Sequence, residues 1–322
     1  VKEMIEEEPI QEEMTEEPAQ LSIESIESVH SGFVTLVGKP NVGKSTLLNT
    51  ILEHKVAIVS PRPQTTRTPL RGILNRPDAQ IVFTDTPGIH KPDHELGQLM
   101  VKLAQQTLFD ADVICFVVDI SIPPSRLDRR IAAQVKRSTS PQFLVLNKVD
   151  LRPRSGPQLE AYRSLGTWDM EIAVSARTGD GVSSLVDALV AHLPMGEPLY
   201  PEDWIVDQSG QYLAAEMVRE KVLRFTEEEV PHAVAIEIEE WEERETLTYI
   251  RMTINVERAG QKGIIIGAGG AMLKRIGQAA RADIEQMVER PVYLDLWVKV
   301  RPDWRNDPAS LGWLGYRLKD LS

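Results

Sequence analysis

Cysteine is almost absent from this sequence: Cys115 is the only one among 322 residues. That excludes a disulfide framework and a cysteine-built zinc site, each of which needs at least two. Long hydrophobic runs are missing as well. The longest uncharged apolar stretch, GIIIGAGGAML at 263–273, is bounded by Lys262 and Lys274. It falls well short of the roughly 20 residues that span a bilayer. No basic-then-apolar leader opens the chain, so a soluble, reduced, cytoplasmic protein is expected. Residues 1–30 have no aromatic residue and no Asp, but ten Glu against one Lys, with two prolines. Such a segment cannot bury enough apolar surface to offset its ordering entropy, and it reads as a disordered acidic extension.

The formal net charge of −12 argues at first against a nucleic-acid partner. Its distribution reverses that argument. The first 30 residues carry −9, residues 31–200 carry +3, 201–257 carry −10 and 258–319 carry +5. An acidic extension and an acidic half-domain conceal a basic C-terminal stretch, and it is regional charge that meets an anionic partner.

From residue 32 onward strands and helices alternate. Apolar strands are expected at 33–37, 71–75, 80–85, 112–119, 142–147 and 171–175, and helices at 44–54, 95–109, 126–137, 157–165 and 182–193. This predicts an α/β domain over 31–194, a mostly parallel sheet with helices on both faces. Cys115 lies inside a continuous apolar strand and reads as a buried structural thiol. The proline-rich PMGEPLYPED marks a linker, placed at 195–207. An α+β domain over 208–322 follows in the order helix, strand, strand, helix, helix, strand. Its alternating segments at 233–243 and 246–258 pair antiparallel, with one face buried.

Gly38-Lys39-Pro40-Asn41-Val42-Gly43-Lys44-Ser45 has the form G-x-x-x-x-G-K-[ST], between a strand and a helix. Its glycines let backbone N–H groups form a concave nest for phosphate oxygens. Lys44 supplies a point charge for the β- and γ-phosphates, Ser45 a hydroxyl for Mg²⁺, and Thr46 adjoins them. Asp85-Thr86-Pro87-Gly88 ends the strand at 80–85. Its carboxylate can reach Mg²⁺ and the Gly88 N–H a γ-phosphate. Asn147-Lys148-Val149-Asp150 ends another strand, where Asp150 can accept both donors on guanine's edge; adenine lacks that donor pair. Ser175-Ala176-Arg177 ends the next, with the Ala176 N–H available to the guanine oxygen. Four such motifs, each at a strand's end, lie where open α/β sheets bind ligands.

These motifs resemble the P-loop GTPases related to translation factors. The resemblance makes 60–68 (SPRPQTTRT) an effector switch, with Thr66 as a Mg²⁺ ligand and Thr65 as the alternative. The metal set it implies is Ser45, Thr66 and Asp85, and the catalytic set Lys44, Asn41, Thr66 and Gly88. The position of the usual water-orienting Gln holds Ile89, which cannot hydrogen-bond water. The sequence thus resembles the subgroup with a hydrophobic residue there. In that subgroup an Asn at the place of Asn41 helps hold K⁺, which stabilises developing charge. His90 and His94 read as surface residues of a mobile loop.

Gly267-Ala268-Gly269-Gly270 has the form GxxG and opens the helix carrying Lys274 and Arg275. It resembles the loop of a type II KH domain, where the backbone approaches nucleic-acid phosphates. Lys262, Lys274 and Arg275 flank it, although Ala268 and Gly269 stand where a basic residue often does. A P-loop domain, a proline linker, a KH domain and the closing Leu314-Gly315-Tyr316 together resemble the Era family of bacterial GTPases over about 31–320. The family resemblance implies GTP and GDP as ligands, and the single-stranded 3′ end of small-subunit ribosomal RNA as partner. It further implies a monomer that acts in small ribosomal subunit assembly and associates peripherally with the inner membrane. Two other readings compete: a membrane-associated cell-cycle or signalling GTPase whose C-terminal domain binds protein, and an RNA chaperone in which hydrolysis only resets the switch.

Overall fold

A computed structural model describes residues 28–317, apart from 63, 90–91 and 152–155. The disorder expected of the acidic extension, residues 28–30 apart, and the loop position of His90 lie outside the described residues. The first layer runs β1 (Val29–Val37), α1 (Lys44–Leu52), β2 (Leu70–Arg76), β3 (Ala79–Asp85), α2 (Glu95–Gln106), β4 (Val113–Asp119), α3 (Arg126–Val135), β5 (Gln142–Asn147), α4 (Pro157–Arg163), β6 (Met170–Ala173), α5 (Val182–Val190) and β7 (Met195–Gly196). The sheet order is β2-β3-β1-β4-β5-β6, parallel except for β2, which pairs antiparallel with β3. Every residue of β3 and β4 is buried, as strands covered on both faces require. Leu47, Leu48, Leu185 and Leu189 of α1 and α5 cover one face, against Val34 and Leu36. Ala104, Ile131 and Tyr162 of α2, α3 and α4 cover the other, against Ile114 and Phe116. Each fully buried aliphatic side chain contributes about 1.5–3 kcal/mol. Cys115 is fully buried and desolvation pushes its pKa up, so it is an inert core thiol.

Two boundaries differ from those expected. β1 begins at Val29, inside the segment assigned to the extension, because Val29 and His30 pair with Gly196 and Met195 of β7. The segment read as a linker is laid along the sheet edge. Leu199 and Tyr200 donate their N–H groups to Gln80 Oε1 (2.6 and 2.8 Å), and Val206 bridges Gly72. Its prolines do not free the chain, since Gln80 and β2 satisfy the backbone.

The second layer comprises α6 (Gly210–Phe225), a 3₁₀ turn (Val230–Ala233), β8 (Ala235–Glu243), β9 (Thr248–Val256), α7 (Ala259–Ile266), a 3₁₀ turn (Ala268–Gly270), α8 (Ala271–Val288), β10 (Val292–Val300) and α9 (Pro308–Trp313). Its sheet order is β10-β9-β8, with β8 antiparallel and β10 parallel to β9. Met217, Val218, Ile265, Ile276 and Ile284 of the three long helices pack on Ile250, Met252 and Ile254. The layers also share a small core, in which Leu96 and Met100 of α2 meet Ala235, Trp304 and Leu311. Among the described residues no helix is long and apolar enough to cross a membrane.

Candidate nucleotide site and nucleic-acid groove

Strand β1 delivers the chain into a tight turn that only glycine permits at two points. A Cβ on Gly38 would sit 2.4 Å from Val117 O. Gly43 caps α1 at φ 100, and a Cβ there would sit 2.4 Å from Asn147 Nδ2. Pro40, Asn41, Gly43, Lys44, Ser45, Thr46, Thr66 and Gly88 all line the resulting depression. Lys44 is buried, and its ammonium donates to Gly38 O and Lys39 O (3.3 Å each). Desolvation pulls its pKa down, partly offset by the Asp85 carboxylate. Such a cation is poised to gain from an arriving phosphate.

Ser45, Thr66 and Asp85 converge as expected. Ser45 Oγ donates to Asp85 Oδ2 (2.6 Å), Thr66 Oγ1 donates to the same oxygen (3.1 Å), and the two hydroxyls are 3.0 Å apart. Thr65 also lines the depression, but its hydroxyl donates to Arg62 O (2.7 Å), so Thr66 is the threonine whose hydroxyl joins Ser45 and Asp85. Asp85 is fully buried, and its Oδ1 has no hydrogen-bond partner. Burial pushes its pKa up, while Lys44, Ser45 and Thr66 act against the rise. An unsatisfied buried carboxylate oxygen beside two hydroxyls is an all-oxygen donor set, and it fits a hard cation such as Mg²⁺.

On the base side, the motifs meet but several side chains act differently from expectation. Asn147 is spent on the scaffold: its amide donates to Val42 O (2.7 Å) and its Oδ1 accepts from Lys148 N and Ala176 N (2.8 and 2.9 Å). The Ala176 N–H expected to meet guanine is thus committed to Asn147 here. Lys148, at φ 69, donates to Asn41 O (2.9 Å) and pairs with Asp119 (2.7 Å). Asp150 accepts from Ser175 Oγ (2.8 Å) and pairs with Arg177 (3.2 Å), which orients its carboxylate. Lys39 turns outward to the buried Asp128 (2.9 Å), so only its backbone faces the phosphate turn. Thr86 donates to Leu36 O (2.8 Å) and is likewise structural. Pro87 continues the turn to Gly88, whose hypothetical Cβ would touch Pro40 at 2.8 Å. Ile89 is buried in the core behind β4. His94 is no idle surface group, because its ring accepts the Gly97 N–H (2.9 Å) and caps α2.

In the second layer Gly267, Gly269 and Gly270 all have positive φ (72, 56 and 82), which turns the chain sharply from α7 into α8. Gly270, Leu273, Lys274, Gly277, Arg281 and Leu294 line an open groove between α8 and β10. Of the three basic residues expected around the loop, Lys274 lines this groove. Arg275 instead stacks over the Phe225 ring at 4.1 Å, and Lys262 is not among the lining residues. Arg281, which sequence reasoning passed over, does line it. It lies seven residues after Lys274, two turns along the same helix face, and that spacing was a usable signal.

A family model described as "50S ribosome-binding GTPase" matches residues 33–148, and one described as "KH domain" matches 229–305. The chain is 46% identical over 294 residues to GTPase Era of Nostoc sp. (strain PCC 7120), covering 90% of each. The chain belongs to the Era family of GTPases. A crystal structure of an Aquifex aeolicus Era variant bound to GDP·AlF₄⁻ is similar at 41% identity and TM-score 0.86, over 90% of this chain and all of that one. A structure of Era in complex with MgGDPNP and nucleotides 1506–1542 of 16S ribosomal RNA is similar at 42% identity, with the same TM-score and coverage.

In this Era-family chain the nucleotide-side loops do not reach the KH domain through the linker alone. Arg62 donates to Thr226 O (3.2 Å), Val59 N to Glu220 Oε1 (3.0 Å), and Thr68 shares a hydrogen bond with Tyr212 (2.6 Å). Lys55 bridges Glu220 and Asp283 at 2.6 Å each. The segment after Gly88 is held too, since Leu96 N donates to Arg305 O (3.0 Å). Sequence reasoning missed Asp119 and these contacts. Asp119 ends a strand next to the phosphate turn, which was a readable signal; the contacts link residues more than 140 positions apart and left none.

Proposed function

We propose that the chain binds GTP and GDP across 31–194 and single-stranded RNA through 208–322. The segment at 195–207 joins the two, and the acidic residues before β1 stand outside both functions. The RNA is the 3′ end of small-subunit (16S) ribosomal RNA, and the role is a hydrolytic switch in small ribosomal subunit maturation. The observation that carries this reading is the convergence of Ser45, Thr66 and the unsatisfied Asp85 carboxylate beside buried Lys44. The solved Era relative bound to MgGDPNP and a 16S fragment supports the RNA half over a signalling role.

Each part of the site has a task. The 38–43 turn presents backbone N–H groups to the phosphates, and Lys44 balances β- and γ-phosphate charge. Ser45, Thr66 and Asp85 would hold Mg²⁺, which supplies charge neutralisation when bound. Gly88 N–H addresses the γ-phosphate. Asp150, oriented by Ser175 and Arg177, reads guanine. Asn147 and Lys148 hold the base loop against the phosphate loop, and Ala176 takes up guanine once its N–H leaves Asn147. Ile89 provides no hydrogen bond to water, so hydrolysis falls to the phosphate-side groups Lys44, Asn41, Thr66 and Gly88. The Asn41 side-chain nitrogen is committed to Pro61 O (2.8 Å), which leaves its side-chain Oδ1 for K⁺. On the RNA side, Gly267, Ala268, Gly269 and Gly270 admit phosphate backbone; Lys274 and Arg281 supply charge in the groove, and Lys262 and Arg275 add to the field from beside it. The reading is completed by a cytoplasmic monomer that associates peripherally with the inner membrane.

The test is binding of a 16S 3′-end oligonucleotide at several salt concentrations, with and without a non-hydrolysable GTP analogue, followed by co-sedimentation with small ribosomal subunits. Salt-sensitive binding and co-sedimentation support the reading. Affinity for neither RNA nor subunits overturns it in favour of a protein-binding C-terminal domain.

A further inference from the structure

Three consecutive residues, Thr65, Thr66 and Arg67, are held from two directions. Thr66 faces Ser45 and Asp85. The carbonyl of Thr65, just before it, accepts from the Arg219 guanidinium on α6. Arg67, just after it, is 3% exposed and leaves the nucleotide layer altogether. Its guanidinium donates to Val234 O (2.5 Å), His232 O (3.2 Å) and Tyr316 Oη (3.2 Å). It lies 5.7 and 5.9 Å from the Trp304 and Tyr316 ring centroids, and those two rings stack at 6.0 Å. Trp304 is itself pinned by donating to Ala233 O (2.9 Å).

Carbonyls of the turn before β8 and rings from the chain's last described residues thus form a receptor for one guanidinium. That guanidinium stands one peptide away from a metal-site hydroxyl. A side chain with several donors in a buried fork cannot leave singly, because each abandoned carbonyl loses its partner out of reach of water. We propose that Arg67 is a positioning residue: docked in the C-terminal domain, it sets Thr66 for hydrolysis and makes turnover depend on how that domain is seated. The inference rests on the proposed role of Thr66 and deepens it. The nucleoside diphosphate, which lacks the γ-phosphate, makes the smaller demand on Thr66.

The experiment compares the full chain with Arg67→Lys, which keeps the charge but loses the fork, and with Tyr316→Phe, which loses one hydroxyl outside the nucleotide layer. GTP turnover, KM, GDP affinity and Mg²⁺ dependence are measured for each. Arg67→Lys should lower kcat at least tenfold and raise the Mg²⁺ concentration needed for half-maximal rate, with GDP affinity within twofold. Tyr316→Phe should shift kcat in the same direction by a few-fold. The double variant should lose less than the product of the two, because both changes act on one contact. Unchanged kcat in both variants, or equal losses of kcat and GDP affinity, overturns the proposal. Absence of GTP turnover in the unaltered chain would instead refute the nucleotide reading.

Discussion

The GxxG loop yields a separation of stability from binding. Gly267 sits at φ 72, ψ 176, a conformation almost exclusive to glycine, and forcing alanine into it costs about 1–3 kcal/mol. A Cβ there would also lie 2.8 Å from Met272 Cβ and 2.9 Å from Met272 N, atoms of the first turn of α8 that cannot swing aside. Overpacking of that kind adds roughly 1–3 kcal/mol. Gly270 is different: φ is 82 and nothing lies within 4 Å of its hypothetical Cβ, so the cost is the left-handed penalty of about 1–2 kcal/mol. Gly270 lines the groove, and its new methyl group would occupy the path of a phosphate. Gly267→Ala should therefore destabilise the C-terminal layer by about 2–6 kcal/mol, the sum of those two costs. Gly270→Ala should cost less stability yet weaken RNA binding about tenfold to a hundredfold, the equivalent of one lost charge-assisted contact. Urea denaturation followed by tryptophan fluorescence and titration of a labelled 16S 3′-end oligonucleotide give the two readouts. Equal destabilisation by both variants, or wild-type RNA affinity in Gly270→Ala, would refute the reasoning. The same steric argument applies to Gly267→Asp, which adds bulk and negative charge beside phosphate. At this position it would disturb the fold as well.

Asp150→Asn should weaken GTP binding by about tenfold to a hundredfold through the lost charge-assisted bonds and improve xanthosine triphosphate binding, as competition against labelled GDP would show. Equal affinity of the unaltered chain for ATP and GTP would contradict the guanine assignment. Lys274→Ala should reduce RNA affinity and flatten its salt dependence, whereas Arg275→Ala should act more weakly because its guanidinium is stacked on Phe225. Identical salt slopes for the two variants would count against the groove. Replacing K⁺ by Na⁺ at constant ionic strength should slow hydrolysis, and matched rates would remove Asn41 from that role. Acid should loosen the join between the layers. For Asp283, burial pushes the pKa up, but hydrogen bonds from Lys221 and Lys55 outweigh it and leave the pKa depressed. A depressed carboxylate stabilises above its unfolded pKa, about 4, and loses that contribution as pH falls through its lower folded value. Thermal midpoints should fall below about pH 4, less steeply in Lys55→Met. An unchanged acid limb in that variant would dismiss the bridge.

Local pattern alone determined much of this protein. Apolar runs placed β4 and β5, because a strand covered on both faces has no polar side to show. The 38–45 motif placed the phosphate turn, since its glycines answer clashes with Val117 and Asn147 that no other residue could avoid. The motifs at 85–88, 147–150 and 175–177 met at one sheet edge because parallel strands all end there. Tertiary structure decided which polar atoms those motifs spend on the scaffold. Asn147, Thr86 and the side chain of Lys39 look like ligand contacts in sequence, yet each satisfies a buried partner in a distant segment. It also decided between Thr65 and Thr66, which are equivalent as letters. The chain direction between Arg219 and Arg67 turns one hydroxyl toward Asp85 and the other away. Lys274 and Arg275 were separated in the same way, by a helix rotation of one residue that aims the first into the groove and the second at Phe225. Periodicity records which face of a segment is apolar. Which neighbour a polar atom finds depends on the packing of elements far apart in the chain, and that information exists only once they are brought together.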